Sequence, residues 1–321
     1  MRRFSYFAFF DFDGTAGDTF KPNRNGIGVN EAYKMACDKI FGTDFAHFER
    51  AGGLQNRGPV EFVSAILENG ERDKLIERAH VYLQKHKGEL DGYVPAGKGA
   101  SLVWDGDPLS VISELLVRVK LKLLTAQIGG ASRDDNWPKP CPGFVEFWRG
   151  ILAFNEVSPI VKFVPGIVSS GHDLFIRECF KMWGLPEPAL MVTDDTMRSP
   201  VCAHLPLAER IKPRVGPVRI LCEQWLKEQK RNIGHEDPLS CIAGRGFYAG
   251  DSLATDGDLA KNLDLCFLWF NPEGKETGSF AGQVVKVSDW REIIGLLTSR
   301  KAVSMMTVGV PFRHIAQTLF Y

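Results

Sequence analysis

Two pairs of aspartates stand where carboxylates are hardest to keep. Asp11 and Asp13 follow the apolar run Tyr6-Phe7-Ala8-Phe9-Phe10, and Asp251 and Asp256 follow Gly246-Phe247-Tyr248-Ala249-Gly250. An unbroken apolar run of this length is the habit of a strand buried on both faces, as at the centre of a parallel sheet. A charge at the end of such a strand is costly to bury unless it is paired or holds a cation. Side-chain alternation sends Asp11 and Asp13 to one face, and Gly14 lets the chain turn sharply after them. The carboxyl ends of such strands are where open α/β sheets bind ligands. A small set of oxygen donors, leaving room for water and a substrate phosphate, suits magnesium.

The elements that must position these groups fall into two regions. From Gly143 onward, apolar extended stretches alternate with amphipathic ones. Strands are expected at 160–169, 189–193, 246–249, 265–270 and 284–287, with helices at 144–154, 173–183, 217–231, 252–263 and 290–297. Such alternation predicts a parallel, doubly wound α/β sheet. Between the first strand and this region, four helical patterns at 29–41, 59–67, 71–86 and 107–128 predict an all-helical bundle. Pro138, Pro140 and Pro142, beside Asp134, Asp135 and Asn136, mark a stiff return connection. The expected division is therefore a core of residues 1–16 and 138–321 with a helical domain, 17–137, inserted into it. The last twenty residues, with Met305, Met306, Phe312, Leu319, Phe320 and Tyr321, are too apolar for a free tail and are expected to dock.

Composition narrows the classes of function. The 321 residues carry 39 Lys plus Arg against 39 Asp plus Glu, a balance that gives no hint of a nucleic-acid or acidic-lipid partner. The seven cysteines include no CxxC pair, which reads as reduced thiols in a cytoplasmic protein without zinc. Met1-Arg2-Arg3 precedes an apolar stretch, but that stretch meets two aspartates too soon for a signal peptide or a membrane span. The expectation is a non-membrane protein, monomer or homodimer, acting on a small molecule.

The segment Asp11-Phe12-Asp13-Gly14-Thr15 resembles the first motif of the haloacid dehalogenase (HAD) superfamily of phosphotransferases. That resemblance implies a Rossmann-like core, Asp11 as the nucleophile that forms an aspartyl-phosphate, and Asp13 as general acid and base. Val168-Ser169-Ser170-Gly171 is similar to the second motif, which makes Ser169 a phosphoryl ligand and Ser170 a neighbouring substrate contact. Ile211-Lys212-Pro213 resembles the third, whose lysine neutralises crowded anions. Gly250-Asp251 and Asp256 are similar to the fourth; the resemblance implies that Asp251 joins Asp11 and the Asp13 main-chain carbonyl around Mg2+, with Asp256 supporting the site or ligating the ion through water. The inserted helices look like the cap of the subclass I members, and Gly52-Gly53-Leu54-Gln55-Asn56-Arg57-Gly58 stands where that cap carries its specificity loop. Arg57 is there a candidate substrate contact, and a surface arginine is an equally good account. His47 and His172 are weaker site candidates.

Together these residues imply a phosphatase that hydrolyses a small phosphorylated metabolite. Related activities stay open: a carbon–phosphorus hydrolase would need a cap lysine such as Lys34 or Lys39 for a Schiff base, and a phosphomutase would give an isomer instead of free phosphate. A dehalogenase attacks carbon and has no use for an acid at position 13. A non-catalytic phospho-ligand binding protein would not need all four motifs chemically intact.

Overall fold

A computed structural model describes residues 4–42, 58–95, 98–99, 101–104, 106–128, 137–230, 237–274 and 284–320. The chain divides into two compact units, one of Met1–Asp18, Lys139–Gly171 and Cys179–Tyr321, the other of Thr19–Pro138 and His172–Glu178.

The first strand, β1 (Phe4–Phe10), is buried along its last five residues. It leads through the Asp11–Ala16 turn into β2 (Gly17–Asp18). The helical unit follows with α1 (Val29–Phe41), α2 (Pro59–Glu68), α3 (Arg72–Leu90) and α4 (Pro108–Thr125). Its helix starts are locally encoded. Pro59 and Pro108 occupy first-turn positions, and the Asp107 carboxylate accepts from the N–H groups of Leu109 and Ser110 at 3.1 and 3.2 Å. The Glu31 side chain accepts from the Gly28 N–H at 3.1 Å, closing the start of α1. Inside the unit, the fully buried Arg118 donates to Glu114, to the Leu90 carbonyl and to the Gly99 carbonyl. A buried guanidinium is tolerable here because its donors meet acceptors.

The chain returns as β3 (Lys139–Pro140), which pairs antiparallel with β2, Gly17 opposite Pro140 and Asp18 opposite Lys139. Then come α5 (Phe144–Val157), β4 (Val161–Val168), α6 (Asp173–Met182), β5 (Met191–Val192), α7 (Asp194–Arg198) and α8 (Gly216–Glu228). They are followed by β6 (Gly246–Gly250), α9 (Asp258–Asn262), β7 (Cys266–Phe270), β8 (Val284–Val287), α10 (Trp290–Leu297), α11 (Arg300–Thr307) and α12 (Phe312–Phe320). The six-stranded sheet has the order β5-β4-β1-β6-β7-β8, and every pairing is parallel. The chain winds outward from β1 to one edge, then restarts at β6 toward the other. This is the doubly wound α/β arrangement expected from the alternation of elements, and its switch point lies between β1 and β6.

Helices cover both faces because β1 is apolar on both. On one face Phe7 meets the edge of Trp225 of α8 at 5.0 Å, and Gly166 leaves room for Leu221 and Phe9. On the other, Phe10 contacts Phe147 of α5 at 5.3 Å, Trp290 of α10 at 5.4 Å and Phe247 of β6 at 5.7 Å. Edge-on aromatic pairs of this kind add about 0.5–1.5 kcal/mol each beyond the area they bury. The apolar C-terminal segment is docked: Phe312 packs on Phe247 at 5.2 Å, and the Tyr6 hydroxyl reaches the Val310 carbonyl at 2.9 Å. Where β4 runs beyond its short partner β5, Asn155 satisfies both the N–H and the carbonyl of Phe163 at 2.7 Å. Pro165 has no N–H to offer, so this length of edge is closed to a further strand.

Candidate active site

Asp11 stands one residue beyond β1, its N–H donating to the Ala249 carbonyl of β6 at 2.8 Å. Phe12 then turns into the core and stacks on Trp183 at 5.7 Å, which anchors the chain between the two aspartates. Its carbonyl accepts from the N–H groups of Ala16 and Gly17 at 2.9 and 3.0 Å, and Gly14 takes a positive φ of 74° in the same turn. A side chain other than glycine would be strained there. Asp13, half-buried, lies in a bridge with Gly17. The Trp290 indole closes the loop by donating to the Thr15 carbonyl at 3.0 Å.

The neighbouring strand β6 ends at Gly250, against which Asp256 is pressed. A Cβ at residue 250 would stand 2.3 Å from the Asp256 Cβ, so only glycine admits the buried carboxylate. Asp256 is fully buried and accepts from the Ser252 N–H at 3.3 Å. The expected single helix 252–263 is therefore two pieces: a wide turn, Leu253–Gly257, that swings Asp256 inward, and then α9. Asp251 is held by its own carbonyl, which accepts from the Trp269 indole at 3.0 Å.

Carboxylate oxygens of Asp11, Asp251 and Asp256 all lie within 4.8 Å of one another. The ammonium of Lys212 is 2.8 Å from Asp11 Oδ1 and 2.7 Å from Asp256 Oδ1. Lys212 precedes Pro213, joined to it by a cis peptide bond, in the segment leading to α8. Burial pushes the Asp11 carboxyl well above the usual range; Lys212 opposes this, while Asp256, Asp251 and Asp13 add to it. Burial, and then the Asp256 charge, raise Asp251 to about 7. Burial alone would lower Lys212, but Asp11 and Asp256 outweigh it and keep its pKa well above the ordinary value.

Three carboxylates thus face a single lysine within this cluster, an excess of negative charge that a divalent cation would relieve. The donor set is oxygen only, which fits a hard cation and could hold a metal ion.

Ser169 follows β4, adjacent to β1 in the sheet. Its Oγ accepts from the Gly171 N–H at 2.9 Å, which leaves the hydroxyl proton for another acceptor. Ser170 is exposed at the same turn. His172 belongs to the helical unit, where its Nε2 lies 3.4 Å from the Tyr33 hydroxyl and the Lys120 ammonium sits 3.9 Å above the Tyr33 ring. Arg57 and His47 lie outside the described residues. The motif reading included Gly250 and passed over Trp269 and Tyr248. For Tyr248 there was a signal, since a tyrosine in a fully buried strand needs a partner for its hydroxyl.

No family model matches the chain, and no curated protein matches it in sequence. The chain resembles solved structures of haloacid dehalogenase superfamily proteins in fold. CbbY from Rhodobacter sphaeroides in complex with phosphate is 14% identical with a TM-score of 0.49, over 93% of this chain and 99% of that one. A 2-haloacid dehalogenase from Pseudomonas syringae pv. Tomato DC3000 is 15% identical with a TM-score of 0.47, over 91% and 97%. A HAD phosphatase from Thermococcus onnurineus is 14% identical with a TM-score of 0.43, over 92% and 98%. At such identities the functional reading rests on this chain's own residues.

Proposed function

We propose that the protein is a HAD-type, magnesium-dependent phosphatase that hydrolyses a small phosphorylated metabolite through an aspartyl-phosphate. The observation that carries this reading is the meeting of Asp11, Asp251 and Asp256 with Lys212 at the carboxyl ends of β1 and β6. Carbon–halogen displacement has no need of a cation cluster beside its nucleophile, whereas phosphoryl transfer develops charge that one offsets.

In this reading the Asp11 carboxylate attacks phosphorus in line, and the ester oxygen leaves. Asp13 delivers the proton to that oxygen and then takes one from the water that opens the acyl phosphate. Ser169 donates its Oγ–H to a phosphoryl oxygen, and Lys212 neutralises and aligns the carboxylates of Asp11 and Asp256. Mg2+ held by Asp11, Asp251 and Asp256, with the Asp13 carbonyl, would supply charge neutralisation at the phosphoryl oxygens. The helical unit, 19–138, takes the role of a cap module, with Arg57 and Ser170 as substrate contacts.

A panel of phosphate esters, assayed by phosphate release with magnesium or with EDTA, tests the reading. Release that requires magnesium and disappears in Asp11→Asn supports it. Release that survives Asp11→Asn removes Asp11 as the nucleophile.

A further inference from the structure

The two residues of β5 pair only with Ile167 and Val168, so among the described residues the earlier part of β4 has no strand beside it on that edge. A cavity of about 220 Å³ opens there, lined by Lys162–Pro165 of β4, by residues of α5 and α8, and by the segment that leads into β5. Pro165 and Ser169 are four residues apart along the chain, about 13 Å at the rise of a strand, so the cavity is separate from the aspartate cluster.

Its walls are fixed before anything binds. Trp148 of α5 and Trp225 of α8 come from opposite faces of the sheet, the first against Phe10 at 6.1 Å and the second against Phe7 at 5.0 Å. Phe180 braces Trp148 from a further side at 5.1 Å. Side chains locked in this way lose little freedom when a ligand arrives. The main chain, by contrast, has little to offer: Asn155 already satisfies both polar groups of Phe163, and Pro165 has no N–H. An extended peptide would find no ladder to join. What remains is apolar contact with two indoles and with Pro165, Pro186 and Leu190, in a volume larger than the about 150 Å³ that holds a benzene ring inside a protein.

Charge selects among flat apolar ligands. Glu187 and Glu228 line the cavity against the single cation of Lys162, an excess of one negative charge. The electron-rich faces of tryptophan also attract cations. We propose that this cavity is a binding site for a small arylalkylamine, its ring against Trp148 and Trp225 and its ammonium toward Glu187 and Glu228. The site stands independently of the phosphatase reading.

The probe is 2-phenylethylamine, and phenylacetate, with the same ring and the opposite charge, is its counterpart. In isothermal titration of the full chain at neutral pH, the amine is expected to bind about tenfold more tightly than the carboxylate, and Glu228→Gln to weaken it about threefold. Ala189→Trp, at an exposed position on the lining, fills the cavity and should abolish binding. Lys162→Met removes the opposing cation and should tighten the amine about threefold, a gain that a damaged fold does not produce. Absence of amine binding to the wild type overturns the proposal, as does a carboxylate that binds within about twofold of the amine. An affinity for the amine within about 1.5-fold of wild type in Glu228→Gln, Ala189→Trp or Lys162→Met places the ligand elsewhere and overturns it too.

Discussion

Asp256 Oδ1 accepts a hydrogen bond from Lys212 Nζ at 2.7 Å, with the two side chains only 1% and 7% exposed. The same ammonium reaches Asp11 at 2.8 Å, so one cation links the loop before α8 to the ends of both central strands. Removing one partner of a buried pair leaves an uncompensated charge, the costly case in a low-dielectric site. The relationship makes Lys212 a structural and an electrostatic element together.

Lys212→Met is expected to lower stability by about 3–5 kcal/mol in EDTA at pH 8. Added magnesium should recover part of the loss, since it neutralises the same carboxylates. Urea denaturation with and without the metal measures both numbers; equal losses under the two conditions would separate Lys212 from the metal cluster.

Asp251 supplies the pH dependence. Its folded pKa, about 7, lies above the unfolded value near 4, so the metal-free fold is favoured while Asp251 holds its proton. That contribution is fully present below pH 4 and is lost as pH rises through 7. A divalent cation competes with this proton, so the rise in melting temperature on adding magnesium should be larger at pH 8 than at pH 5.5. A rise of the same size at both pH values would count against Asp251 as a ligand.

Asp11→Asn removes a buried carboxyl held well above its ordinary pKa by burial and by its neighbours. Turnover is expected to fall on the order of a thousandfold or more, as for loss of a nucleophile. The metal-free variant should nevertheless melt higher than wild type at pH 8, because one of the crowded acids is gone. Calorimetry in EDTA reads this directly, and a lower melting temperature would show that the Lys212 contact outweighs the repulsion.

Gly250→Ala places a methyl 2.3 Å from the Asp256 Cβ. Overpacking of this kind costs about 1–3 kcal/mol and displaces Asp256 from the cluster. Metal affinity, followed by isothermal titration, is expected to drop with stability. Unchanged affinity would mean that the carboxylate finds its place by another route.

What the chain discloses in one dimension is local. The apolar run of β1, the aspartates that end it, the glycine-aspartate at the end of β6 and the alternation that predicts a parallel sheet depend on near neighbours and on burial. The expected helix over 252–263 failed as a single element because its interruption has a tertiary cause: Asp256 turns inward to meet Lys212 and the Ser252 N–H. No sequence pattern says that Lys212 reaches both Asp11 and Asp256, or that the Tyr248 hydroxyl ends on Val168. Those partners are decided by the order β5-β4-β1-β6-β7-β8, which lays the ends of β4, β1 and β6 side by side. Residue types and spacing declared the chemistry available to this protein. The sheet order decided which atoms share it, because hydrogen bonds and ion pairs act over a few ångströms and only the folded backbone brings such distant residues that close.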